Sequence, residues 1–270
     1  MKLVYIRGAG DIASGIAVRL YRAGYGIVMS DLEKPTAIRR TVSFSEAIRL
    51  GETKVENIRA LRAKDPAEAI GIAEKGFIAV IADPAGQIRN EVLFDAEVDA
   101  ILAKRNTGTS IEDAPVVIGI GPGFTAGMDC HACVETMRGH DLGRVVYEGS
   151  CAPNTGIPGN IGGYTCERVL RAPADGIFVP LKEIGDHAEA GETAALVNGI
   201  ELKCLISGTV RGMLPEGTEV FKGMKSGDID PRDAADNCYT VSDKALAVAG
   251  GVLEALLHFD SIRQGEAYGK

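Results

Sequence analysis

The chain opens on a change of hydrophobic period. Residues 2–6 (KLVYI) are β-rich, a turn follows at Gly8-Ala9-Gly10, and from about residue 11 to 23 apolar residues recur at helical spacing: Ile12, Ile16 and Leu20, with Ala13 and Ala17 between them. Gly24 ends that helix, and residues 25–29 read as a second strand. "SFSE" at 43–46 has the spacing of a capping box and predicts a further helix. The runs 76–83, 98–103 and 114–123 are short, almost continuously apolar and bounded by turn residues, the pattern of strands buried on both faces of a parallel sheet. Strands alternating with helical segments predict an α/β fold over 1–127, a Rossmann-like doubly wound parallel sheet.

Beyond residue 127 the pattern changes. "DCHACVETMRGHDLGR" (129–144) allows two readings. As a helix it places Cys130, Cys133, Val134 and Met137 on one apolar stripe. As a strand, the preferred reading, it turns Cys130 and Cys133 to opposite faces and aligns Asp129, His131 and Glu135 on the polar one. A hairpin at 137–144 and a Gly/Pro-rich stretch ("APNTGIPGNIGGY", 152–164) complete a linker over 128–168. Residues 169–232 hold an internal repeat at an offset of 32: Gly176, Gly185 and Gly191 align with Gly208, Gly217 and Gly223. Two interlocked β units sharing one core are expected. The pattern resembles the biotinyl/lipoyl-type barrel-sandwich hybrid. The hairpin between the halves carries Asn198-Gly199, a type I′ turn signal, where the carrier family has its modified lysine, and Lys203 lies in the strand after it, so a swinging-arm function is disfavoured. Residues 233–270 contribute a strand and a helix capped by Ser242, expected to return to the first domain.

Composition narrows the functional classes. The 270 residues are 46% hydrophobic and 24% charged, a globular balance. A net charge of −8 disfavours nucleic acid and anionic membranes as partners. No apolar run reaches the roughly 18 residues that span a bilayer, and residues 1–11 show neither the core nor the cleavage site of a signal peptide. The six cysteines are too few for a disulfide scaffold, so a cytoplasmic protein with reduced thiols is expected. Thirty-four glycines and no tryptophan favour backbone approach to a ligand over an aromatic pocket.

The candidate chemistry clusters where strands end. Gly8, Gly10 and Ala13 form a G-x-G-x-x-A turn between a strand and a helix, the context of a dinucleotide fingerprint, and Asp31 ends the next strand where a ribose-binding acid would sit. The helix start would receive a phosphate. Asp11 competes for the same amides, and a fold of this kind without nucleotide remains open. Lys34, Arg39 and Arg40 follow the second strand, Lys104, Arg105 and Asn106 a later one, and Gly121, Gly123 and Thr125 the next. Their convergence on one edge predicts a pocket for a large anionic ligand, to which Asn154 and Thr155 add polar contacts. Asp228, Asp230 and Arg232 read as a solvated turn with an internal ion pair rather than a cation site. The single C-x-x-C lacks the second pair of a structural zinc site, and no metal site is assigned.

Taken together, "IRGAGDIASG", "EKPTAIRRTVSFSEA", "VDAILAKRNTGT", "GPGFTAGMDCHACVETMRGHDLGR", "PNTGIPG" and "DIDPR…SDKALAVAGGVLEA" resemble the YqeB-type selenium-dependent molybdenum hydroxylase accessory proteins over nearly the whole chain. The N-terminal half is also similar to the Rossmann-like domain of xanthine dehydrogenase accessory factors. The resemblance implies a maturation factor that binds molybdenum cofactor, as molybdopterin dinucleotide, and whose partner is a molybdenum hydroxylase apoenzyme. It makes His131, Glu135 and His140 candidates for acid–base contacts, with Arg138 as a polar contact, near the cofactor's reactive end. Aliphatic residues are usual in that family where Cys130 and Cys133 sit, so these two are read as core. The alternative is an NAD(P)-dependent oxidoreductase using the Gly8–Gly10 turn and Asp31. Turnover and self-association are left open.

Overall fold

In the computed structural model, which describes residues 1–263 and Gly265, the chain divides into two units. The first comprises Met1–Pro35, Phe44–Thr155 and Val241–Lys270, the second Thr36–Ser43 and Gly156–Thr240.

The first unit begins with β1 (Leu3–Arg7), α1 (Asp11–Arg22) and β2 (Gly26–Asp31). A single helical turn, α2 (Glu46–Leu50), leads into β3 (Glu52–Val55) and β4 (Ile58–Ala63). Asp65 then caps α3 (Pro66–Glu74) by accepting from the Glu68 amide, with Pro66 in the first turn where its missing N–H costs nothing. β5 (Ile78–Ala82), β6 (Ala96–Asp99), β7 (Val117–Ile120), β8 (Ala132–Val134), β9 (Val145–Val146) and α4 (Asp243–Arg263) complete it. The sheet order is β3-β4-β5-β2-β1-β6-β7-β8-β9. α3 packs on one face over Tyr5, Val28, Ala79 and Ile81.

The second unit holds β10 (Val169–Arg171), β11 (Gly176–Pro180), β12 (His187–Ala188), β13 (Thr193–Val197), β14 (Ile200–Lys203), β15 (Gly208–Met213), β16 (Glu219–Val220) and β17 (Lys225–Asp230). They form two four-stranded antiparallel sheets, β10-β17-β15-β12 and β14-β13-β11-β16. The repeat is visible in the backbone: β11, β12 and β13 correspond to β15, β16 and β17, and Gly176 and Gly208 share φ angles of 147° and 149°. The second strand of each repeat pairs with the first strand of the other, which interlocks the copies around Phe178, Val197, Val210, Met213, Val220 and Ile229.

The expected layout, a Rossmann-like doubly wound parallel sheet followed by a barrel-sandwich unit, is corrected by this topology. The large sheet is mixed and nine-stranded, with antiparallel pairs β3–β4 and β8–β9 at its two edges, and it is accompanied by a pair of antiparallel sheets. Two local causes account for the difference at the edges. The "SFSE" capping box does not form: the Ser43 hydroxyl donates to the Arg39 carbonyl, and the helix after it ends within five residues at Gly51. Residues 52–63 then fold back as a hairpin through Glu56, whose φ is 51°. The 132–146 hairpin likewise joins the large sheet instead of acting as a linker.

α4 is long and apolar enough to cross a membrane by length and composition alone. Its Ala245, Val248, Ala249, Val252, Ala255 and Leu256 are buried, and it runs along α1, so this apolar surface is spent on the core of the first unit.

Candidate anion-binding site

Strands β1, β6, β7 and β8 are parallel neighbours, so their carboxyl ends lie on one edge. At the end of β1, Gly8 has φ 98°, and a Cβ there would come within 2.9 Å of the Ala100 carbonyl oxygen. Only glycine passes that point. The next amide, of Ala9, donates to Asp31 Oδ2 at 2.8 Å, and the Leu32 amide donates to Oδ1 at 2.8 Å. Burial raises the Asp31 pKa against these two amides. Asp31 thus holds the turn in place through Oδ2 and its own following amide through Oδ1. Gly10 caps α1 without a side-chain hydrogen bond, so the first-turn amides are not capped by a side chain of that residue.

α1 and α4 lie side by side and run in the same direction, because Gly15 faces Ala245 and Gly250 lies near Arg19. A Cβ on Gly15 would sit 2.6 Å from the Ala245 Cβ, so glycine sets this close approach. The positive ends of both helix dipoles therefore point to the same edge. Lys244, in the first turn of α4, is half-buried there, and its pKa is lowered by burial and by the nearby cations Lys104 and Arg138, against the opposite pull of Asp11 and Glu135. Lys104 is at the rim with φ 64°, and partial desolvation lowers its pKa too. A cation in the first turn opposes the dipole and two neighbouring cations oppose each other, so both lysines gain from an anion between them.

The loop that carries Lys104 is tied down from below. Arg7 and Asp99 are buried at 3% and 1% exposure, and their ion pair spans 2.9 Å. Thr109 donates to Asp99 Oδ2 at 2.7 Å and accepts from Arg7. Asn106 turns its carboxamide inward, accepting from the Gly108 and Thr109 amides and donating to the Thr109 carbonyl. The Arg105 backbone lies under Gly123, whose φ is 113° and whose Cβ would be 2.6 Å from the Arg105 nitrogen. Gly121 similarly makes room for the Thr136 hydroxyl, 2.6 Å from a notional Cβ. These glycines are required by the packing of the loops on one another. Gly123→Ala is expected to cost about 1–3 kcal/mol through its backbone strain alone, measurable as a lower urea midpoint.

Several residues expected at this site serve other ends. Glu135 is 5% exposed and accepts from the Thr136, Met137 and Ala152 amides at 2.6–2.7 Å, which fixes the loop after β8. Arg138 makes a bidentate pair with Asp243 at 2.8 and 3.0 Å, joining that loop to the start of α4. His131 precedes β8, at the opposite edge of the sheet. Its Nδ1 accepts from the Val117 amide, its ring meets Phe259, and burial lowers its pKa. His140 is exposed in the hairpin loop. Thr125 takes part in a local turn with Asp129 and Ser150, and Asn154 and Thr155 are exposed. Arg39 and Arg40 belong to the second unit, where they donate to the carbonyls of Asn237, Thr240 and Met213. In that unit Asp230 pairs with Arg232 and is almost fully buried, not solvated. Among the described residues no group of three or more His, Cys, Asp or Glu side chains is placed to hold a metal ion.

Gly8, Gly10, Asp11, Ala13, Asp31, Lys104 and Arg138 thus come together at the edge. Lys244 joins them and is the residue that reading the sequence missed. Its signal was a lysine two residues after a helix cap, where a cation is disfavoured.

The fold and site define a two-unit chain whose mixed α/β unit presents cations and two helix starts at one sheet edge. Over 256 residues the chain is 52% identical to the Escherichia coli (strain K12) protein described as "Uncharacterized protein YqeB", an alignment that covers 95% of this chain and 47% of that protein. The chain is thus similar to a YqeB sequence over nearly its whole length, and it spans about half the length of this curated relative. No family model matches the chain. Among solved structures, an aspartoacylase family protein from Mesorhizobium loti (TM-score 0.28, 12% identity) and a succinylglutamate desuccinylase/aspartoacylase from Rhodobacter sphaeroides (TM-score 0.28, 17% identity) each align over 84% of both chains. Overlaps of that quality define neither a shared fold nor a shared function.

Proposed function

We propose that the first unit binds a phosphate-bearing, multiply anionic cofactor at the edge formed by Gly8–Gly10, Lys104 and Lys244. We further propose that the chain acts as an accessory factor in maturing a selenium-dependent molybdenum hydroxylase, with molybdopterin dinucleotide as the cofactor. The observation that carries the binding proposal is the approach of Lys104, in the loop after β6, to Lys244, in the first turn of α4, at the edge where the parallel helices α1 and α4 both start. The donors on this edge are ammonium groups and backbone amides, which match phosphate oxygens. The maturation role rests on the resemblance of the motifs. When bound, the cofactor supplies the molybdenum chemistry, and this chain's residues hold its phosphates. His131 lies at the opposite edge and His140 is exposed in the loop after β8, so no proton transfer is assigned to them.

The NAD(P) alternative has less support, because Asp31 Oδ2 already holds the Ala9 amide of the turn and Oδ1 the Leu32 amide. Native mass spectrometry of protein purified under anaerobic conditions tests the proposal. A bound species with the mass of a molybdopterin dinucleotide is expected. Protein that carries NAD(P) instead, or that stays ligand-free after incubation with isolated molybdenum cofactor, contradicts it.

A further inference from the structure

The cysteines of "DCHAC" are not used by the anion site, and their placement differs from a regular strand. β8 starts only at Ala132, and Cys130 lies before it, bridged to Ala126. The sulfurs of Cys130 and Cys133 therefore do not point to opposite faces but lie 3.5 Å apart. Cys151 packs in the same core, close enough to raise the Cys133 pKa. All three sit in a small core with Val117, Phe124 and Ala126. Cys151 is the most accessible, at 6% exposure against 0% for the other two.

The three sulfurs are not equivalent. Either sulfur of the Cys130–Cys133 pair can donate to the other; that hydrogen bond is the main cause that lowers the Cys130 pKa, with the amides of Gly119 and Ala132 adding to it. Cys133, held between Cys130 and Cys151 and buried, is raised. Apolar packing explains why the residues are buried. It does not explain three thiols gathered in one core, two of them 3.5 Å apart.

We infer that Cys130, Cys133 and Cys151 form a thiol relay that a hydroperoxide oxidises and that ends in a Cys130–Cys133 disulfide. The Cys151 sulfur attacks the hydroperoxide: an S–O bond forms, the O–O bond breaks, and the alcohol or water leaves with the thiol proton, giving a sulfenic acid. The Cys133 sulfur attacks Cys151: an S–S bond forms, the S–O bond breaks, and hydroxide leaves as water with the Cys133 proton. The Cys130 sulfur then attacks Cys133, its partner at 3.5 Å. The Cys133–Cys151 bond breaks, and Cys151 departs as a thiolate that takes up the proton given up by Cys130. The sum is two thiols and one hydroperoxide giving one disulfide, one alcohol (or water) and one water. This site is independent of the cofactor proposal and extends beyond it.

The test uses the full chain. Purified protein is treated with hydrogen peroxide, denatured, alkylated and digested with trypsin. The tryptic peptide 106–138, which holds Cys130 and Cys133, is expected to be lighter by two hydrogens and unalkylated, and dithiothreitol should restore both thiols. In Cys130→Ser the relay should stop one step earlier, as a Cys133–Cys151 cross-link between two peptides. Six alkylatable thiols after peroxide, oxidation confined to exposed Cys166, or Cys151 driven to sulfinic acid with Cys130 and Cys133 reduced would each overturn the inference. So would an uncross-linked, folded Cys130→Ser protein. If that variant does not fold, peptide 106–138 of the unsubstituted protein decides the matter.

Discussion

Asp99→Ala is expected to lower the stability of the chain by about 3–5 kcal/mol, seen as a large fall in the urea midpoint. Asp99 accepts from Arg7 and Thr109 through Oδ2 and from the Ile101 amide through Oδ1. Arg7 is buried beside it, at 3% exposure. Removing the carboxylate leaves a buried guanidinium without its counter-ion, and that desolvated charge is the main cost. Replacing the pair together, Arg7→Met with Asp99→Leu, should cost much less, because no charge is then left buried. Asp99→Ala should also loosen the loop of Lys104, since Thr109 loses the acceptor that anchors it. A double replacement as damaging as the single one would show that the lock acts through something other than charge.

Stability is also expected to fall by about 3 kcal/mol between about pH 4.5 and 7 because of Glu97. Its carboxyl lies on β6 at 1% exposure, and burial raises its pKa to about 7, with Arg89 at 2.9 Å pulling the other way and Asp113 adding to the rise. Its second oxygen, Oε2, has no hydrogen-bond partner among the described residues. The folded chain therefore holds a proton over a range where the unfolded chain has released it. The stabilisation is complete below the unfolded pKa and is lost as pH rises through the folded one. Urea unfolding at pH 5 and pH 8 measures it: Glu97→Gln should remove most of the difference. An unchanged difference in that variant would assign the pH dependence to other groups.

What could be read in advance was what has a period. The strand, turn and helix from residue 2 to 29 and the glycine repeat at an offset of 32 announce themselves by spacing, and both appear in the backbone. The architecture around them was less legible. A capping-box pattern at 43–46 carries no information on whether its serine has a competing acceptor, and here the Arg39 carbonyl takes the hydroxyl. The hairpin at 52–63 has too few residues for periodicity to identify it, and the hairpin at 132–146 is readable as a hairpin while its place in the large sheet is not.

The site divides along the same line. Gly8 and Lys104 follow strands that end on one edge, so their convergence was readable from strand order. Arg39 and Arg40 follow a strand as well, but residues 36–43 belong to the second unit, a fact that no local pattern records. Glu135 looks like a ligand contact because a strand reading puts it on a polar face, and Asn106 because it is a polar residue in a loop after a strand. Only the three-dimensional structure shows that backbone amides already occupy them. Lys244 lies 140 positions from Lys104, and helix packing through Gly15 and Ala245 brings it to the same edge.

Lys104 and Lys244 are expected to hold the phosphates of an anionic ligand. Titration calorimetry with inorganic pyrophosphate tests this on the full chain, with Lys104→Ala/Lys244→Ala beside it and unfolding midpoints as the check on folding. The unsubstituted protein should bind, and the double variant should bind about 100-fold more weakly, roughly tenfold for each charge-assisted hydrogen bond removed. Equal affinity in the two proteins, or no binding by the unsubstituted one, would contradict a phosphate-holding role for the two lysines.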